Sequence, residues 1–113
     1  SSSMSNKVEP TRLLENIVYN ELIYQGYKVF IGKTYKGEID FVAMKNNKKC
    51  FIQVTYYIFD EEVADREFNA FSSIKDQAPK YVLSMDKFDM SRNGISHINI
   101  EDFLLGKIKL NIS

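Results

Sequence analysis

Gly37-Glu38-Ile39-Asp40-Phe41-Val42-Ala43 and Cys50-Phe51-Ile52-Gln53-Val54-Thr55-Tyr56 are the two stretches whose reading decides the fold. Both are rich in β-branched and aromatic residues, and Asn46-Asn47 lies between them, where asparagine tolerates the left-handed backbone of a tight turn. They read as the strands of one hairpin. In ordinary register, period-two alternation sends Asp40, Gln53 and Thr55 to one shared face.

Upstream of the hairpin, Leu14, Ile17, Val18 and Leu22, with Leu13 one step round, fall at helical spacing. They predict an amphipathic helix from about Leu13 to Gln25, opened at Pro10-Thr11 and stopped by Gly26. A short strand from Tyr27 to Ile31 and a polar turn from Gly32 to Gly37 lead into the hairpin.

Downstream, Asp60-Glu61-Glu62 supplies a cap and an acidic first turn for a second helix reaching about Lys75, with Ala64, Phe68, Phe71 and Ile74 as its inward stripe. Pro79 ends the connection. The run Tyr81-Val82-Leu83-Ser84-Met85 is almost continuously apolar, as in a strand covered on both faces. A loop from Asp86 to Gly94, closed by Asn93-Gly94, precedes a last strand from Ile95 to Ile100 and a short helix from Glu101 to Leu105. The order αβββαββα implies an α/β fold: a mixed sheet flanked by helices, the first helix on one face and the second on the other.

A chain of 113 residues, 44% hydrophobic and 27% charged, fits one globular domain. Ser1-Ser2-Ser3 ahead of Met4 reads as a cloning scar, residues 1–12 as a flexible N-terminus and residues 13–113 as the domain. The 15 basic and 15 acidic side chains cancel, so a nucleic-acid partner has to be held by a local patch. Cys50 is the single cysteine, which excludes an intrachain disulfide and fits a half-buried strand position. No apolar run is long enough to span a bilayer, and no charged-then-apolar leader opens the chain, so a cytoplasmic protein with no membrane partner is expected.

Taken in order, several blocks resemble a known family. They are Leu13-Leu14-Glu15-Asn16-Ile17-Val18-Tyr19-Asn20-Glu21-Leu22, Gly26-Tyr27-Lys28-Val29, Glu38-Ile39-Asp40-Phe41-Val42, Ile52-Gln53-Val54-Thr55-Tyr56, Arg66-Glu67-Phe68, Pro79 to Asp86 and Gly94 to Leu104. The series resembles the C-terminal domain of unknown function that closes many prokaryotic AAA+ ATPases, a domain similar to the PD-(D/E)XK restriction-endonuclease-like fold. The resemblance implies a core αβββαβ and an N-terminal AAA+ ATPase module as partner in the full-length protein. It also implies a nuclease-type site of Glu15, Asp40, Gln53 and Thr55, with Asp40, Gln53 and the Val54 carbonyl as metal ligands and Mg²⁺ or Mn²⁺ as the cofactor. ATP would belong to the N-terminal module alone, since no phosphate-binding Gly-x-x-x-x-Gly-Lys-Ser/Thr loop occurs here.

Thr55 departs from that pattern, which has a lysine at this position. The lysine helps orient the attacking water and offsets charge on the phosphorane, and losing one comparable donor typically costs about 10²–10³-fold in rate. Lys33, Lys36 and Lys80 are candidates to replace it. At the hairpin tip, Lys45, Lys48 and Lys49 form either a solvated loop or a phosphate-contacting finger, and Arg66 either an ordinary helix charge or a phosphate contact. Tyr56-Tyr57 and Phe59 could stack on bases or simply pack. His97, with no second histidine, reads as a hydrogen-bonded strand residue. Three functions follow: a degenerate nuclease-fold accessory module that binds nucleic acid (DNA in the first instance) or a protein, an active metal-dependent DNA endonuclease with a relocated lysine, and a protein-interaction or dimerisation module with no nucleic-acid role; a homo-oligomer is a further expected partnership.

Overall fold

The computed structural model describes the backbone from Ser2 to Ser113 and side chains from Pro10 onward. The elements are α1 (Ser2–Tyr24), β1 (Lys28–Thr34), β2 (Gly37–Lys45), β3 (Lys48–Val54), α2 (Glu61–Asn69), β4 (Lys80–Ser84), β5 (Ser96–Asn99) and α3 (Ile100–Leu104). The predicted order is observed. The five strands form one sheet in sequence order. β1, β2 and β3 are antiparallel, β3 and β4 parallel, and β4 and β5 parallel.

Two apolar layers hold the helices on opposite faces. Val18 and Leu22 of α1 and Ile100 and Phe103 of α3 pack with Ile52, Val54, Tyr81 and Leu83. Ala64 and Phe68 of α2 pack with Ile39, Val82 and Ile95 on the other side. The alternation Phe51/Ile52 and Val82/Leu83 between layers is the two-residue period of strands buried on both faces. Among the described residues no helix is long and apolar enough to cross a membrane.

Several boundaries differ from expectation, each for a local reason. The first helix does not begin at Leu13: Pro10 lies inside α1, where it removes one backbone donor without ending the helix. Residues 2–12, expected with Ser1 to form a flexible N-terminus ahead of the domain, belong to the backbone of α1, and Ser1 lies outside the described residues. At the other end the predicted stop holds: Gly26 has φ 96°, its N–H donates to Ile23, and the Tyr27 N–H donates to Leu22 at 3.0 Å, a Schellman closure.

Gly32 belongs to β1 and not to the polar turn, because a Cβ there would meet Ile39 Cβ at 3.0 Å and Val42 Cγ2 at 3.1 Å. Only glycine lets β1 and β2 continue side by side at this point. The second helix stops at Asn69, short of Lys75. The N–H groups of Phe71, Ser72 and Ile74 donate three residues back, tight turns that still deliver Phe71 and Ile74 to the core. Asp60 caps α2 as predicted, accepting from the Glu62 and Val63 amides. Asn46 and Asn47 both have positive φ, 55° and 64°, and make the two-residue hairpin turn.

Candidate functional site

β2 carries one residue more than its neighbour where the candidate site begins. Pairing steps from Phe30↔Val42 to Gly32↔Ile39, so β2 fits an extra residue between these pairs, a β-bulge at Asp40-Phe41. Ile39 consequently packs on the α2 side and Phe41 on the α1 side, although both are odd-numbered. The register between β2 and β3 is unbroken, and one step beyond Phe41↔Ile52 it sets Asp40 opposite Gln53, as ordinary alternation predicts. The bulge lies on the β1 side of β2, at the point where β2 and β3 part.

The β2–β3 ladder ends at Phe41↔Ile52. Beyond it, side chains take over. The Asp40 N–H donates to Gln53 Oε1 at 2.6 Å, and the Val54 N–H donates to Asp40 Oδ2 at 2.8 Å. Each side chain thus satisfies a backbone amide of the opposite strand, one of them on Val54, which is almost wholly buried. Thr55 continues from β3, is buried, and its N–H donates to Leu83 O at 3.0 Å.

Two further carboxylates face this point. Glu15 comes from α1; burial, and then the charge of Asp40, raises its pKa, while Arg12 opposes the rise. Glu67 comes from α2 and is buried. Burial first, then Asp40, lift its pKa to about 7 against the opposing Arg66, whose Nε lies 3.6 Å from Glu67 Oε2. Asp40 is also raised by burial, with the Val54 amide working the other way and Glu38 adding to the rise. Three carboxyl groups with raised pKa values thus act on one another where β2 and β3 part.

Glu67 was missed as a site residue, although the pattern contained the signal. It stands three positions after Ala64 and four before Phe71, so a charged side chain falls on the inward stripe of α2. Arg66 is its exposed neighbour at the rim of the carboxylate group.

The lysines do not converge here. The hairpin tip is five residues of strand from Asp40, about 17 Å at the usual rise. Lys45 Nζ donates to Gln25 O at 2.8 Å and sits 4.1 Å from the Tyr27 ring centroid. Lys49 pairs with Asp76 at 2.7 Å. Lys48 is exposed on the turn. Of the replacements considered for the missing lysine, Lys80 donates to the carbonyls of Asp76 and Ala78, and Lys36 to Ser72 Oγ. Lys33 lies on β1, opposite Glu38.

Mg²⁺ and Mn²⁺ call for several hard oxygen donors. Here Asp40 Oδ2 and Gln53 Oε1 each already accept a backbone N–H. Among the described residues no three Asp, Glu, His or Cys side chains form a group that could hold an ion.

A second buried polar cluster joins the ends of β4 and β5. The Met90 N–H donates to His97 Nδ1 at 3.1 Å, which assigns the imidazole proton to Nε2. Nε2 then donates to Ser84 Oγ at 2.8 Å, and Ser84 donates to Asp86 Oδ2 at 2.6 Å. Asp86 Oδ2 also accepts the Ile58 N–H at 2.7 Å. The Ser84 proton points to a carboxylate and the hydroxyl is fully buried, so this is a structural tie and not a nucleophile with its base. His97 is the hydrogen-bonded strand residue anticipated.

Residues 11–103 match the sequence model of a family described as Domain of unknown function (DUF4143). The chain belongs to the DUF4143 family. This DUF4143 domain is also similar to an uncharacterized protein of Haemophilus influenzae (strain ATCC 51907 / DSM 11121 / KW20 / Rd), 34% identical over 93 residues. The match takes in 81% of the chain but 22% of the relative, so the domain spans about a fifth of that protein's length. No solved structure matches.

Proposed function

We propose that this DUF4143 domain is a nuclease-fold accessory module of a larger AAA+ ATPase, one that retains the frame of a PD-(D/E)XK site and engages nucleic acid or a protein partner without cutting. Its first six elements run αβββαβ around a mixed sheet, the order of such a core. The length of the Haemophilus influenzae relative supports a module embedded in a longer polypeptide.

The reciprocal pair Asp40 and Gln53 carries the proposal. Both side chains are committed to closing the gap between β2 and β3, and the Asp40 pKa is raised by burial and by Glu38 against the Val54 amide. A phosphoryl transition state needs positive charge where its own charge builds, and Thr55 brings none. What remains is a binding surface.

The test is nicking of supercoiled DNA in Mg²⁺ or Mn²⁺, with Asp40→Asn alongside. No metal-dependent nicking is expected from either protein. Nicking by the wild type that disappears in the variant would establish an active endonuclease instead. That second reading draws on Glu15 and Glu67, which add negative charge around Asp40 able to attract a cation.

A further inference from the structure

A groove of about 520 Å³ lies between the β1–β2 turn and the segment that follows α2, with Ile39 and Phe51 among its lining residues. Ile39 adjoins Asp40 in sequence, and Phe51 lies two residues before Gln53 on the same side of β3. The groove therefore leads toward the carboxylate site along the α2 face of the sheet.

Its surroundings are basic, although the chain as a whole is neutral. Lys33 and Lys75 line it. Lys36 reaches across from the β1–β2 turn to Ser72 Oγ. Lys49 and Lys80 meet at Asp76, one through its carboxylate and the other through its carbonyl. Five ammonium groups thus surround a segment whose carboxylate is Asp76, with Glu38 opposite Lys33 on the neighbouring strand.

Two further features suit a polyanion with bases attached. Ser73 adds a polar residue to the groove wall. Tyr35 stands at the rim with its side chain wholly exposed. A free aromatic face beside a cationic groove is the arrangement that stacks unpaired bases while ammonium groups track the backbone.

The geometry points to single-stranded nucleic acid as the occupant of this groove, held by Lys36 and Lys75 at its phosphates and by Tyr35 at a base. This rests on the proposed engagement of nucleic acid, and it is independent of whether the Asp40 site cuts. Of the hairpin-tip lysines, Lys45 and Lys48 take no part.

Fluorescence anisotropy with a labelled oligo-dT and a duplex of the same length tests it on the full chain, over a series of salt concentrations. The wild type is expected to prefer oligo-dT, with affinity falling as salt rises. Lys36→Glu with Lys75→Glu should weaken binding at least tenfold and flatten the salt slope by about 1.4, since each phosphate contact on a single strand contributes about 0.7. Tyr35→Ala should cost about fivefold or more for oligo-dT. The milder pair Lys36→Gln and Lys75→Gln, checked by circular dichroism, guards against misfolding and should weaken binding in the same direction. Binding that survives these changes but falls with Lys48→Glu overturns the groove and leaves nucleic-acid engagement standing. Preference for duplex overturns the single-strand assignment. Failure of the wild type to bind either oligonucleotide overturns the groove and the nucleic-acid half of the proposed function, leaving a protein partner.

Discussion

Replacing Glu67 by glutamine keeps the shape of the side chain on α2 and removes its charge. Burial beneath the helix and the neighbouring carboxylate of Asp40 raise the Glu67 pKa from 4.5 to about 7. A raised carboxyl pKa means that the folded state holds a proton the unfolded chain has already released. Stability contributed by the neutral form is full below pH 4.5 and declines as pH rises through 4.5 toward 7. The two pKa values set the loss at about 3 kcal/mol, an upper figure because the side chain keeps some contact with water. Glu67→Gln, neutral at every pH, should match the wild type at pH 4 and exceed it by about 2–3 kcal/mol at pH 8. At roughly 4 °C per kcal/mol for a domain of this size, the melting temperature at pH 8 should rise by about 10 °C. Urea denaturation and thermal melts at both pH values measure this directly. If variant and wild type differ by the same amount at pH 4 and pH 8, Glu67 is not a buried, proton-holding carboxyl.

Three further perturbations have defined outcomes. Asp40→Ala strands the buried Val54 N–H and should cost about 1–3 kcal/mol in urea denaturation, whereas Asp40→Asn keeps an acceptor and should cost clearly less. Burial lowers the His97 pKa, so its contribution is complete above pH 6.5 and is lost as pH falls below that toward the folded value. The stability gap between wild type and His97→Gln should accordingly narrow on acidification, as followed by denaturation at pH 7 and pH 5. Gly32→Ala places a Cβ about 3 Å from Ile39 and Val42 and should lower stability by about 1–2 kcal/mol, as read from the melting temperature.

The order of elements was legible because hydrophobic period is a local property. Leu14, Val18 and Leu22 declare a helix, Tyr81 to Ser84 a strand covered on both faces, and Asn46-Asn47 a hairpin turn, whatever lies around them. The same reading put Asp40 and Gln53 on one hairpin. It misjudged boundaries wherever tertiary contact overrides local preference. Gly32 resembles a breaker and is a strand residue, because the close approach of Ile39 and Val42 requires the absence of a side chain. Pro10 resembles a helix start and lies within α1.

What surrounds the Asp40–Gln53 pair is non-local and was open to the structure alone. The extra residue in β2 reverses the facing of Ile39 relative to Phe41, and strand periodicity carries no signal for such a bulge. Glu67 lies on the far side of the sheet from Glu15, and only packing of α1 and α2 onto opposite faces lets both act on Asp40. Net charge shows the same division. The sequence fixes it at zero, while the fold gathers Lys33, Lys36, Lys49, Lys75 and Lys80 around one groove and leaves the carboxylates beside Asp40. A sum over residues is set by composition, but a field is set by position, and position is what folding supplies.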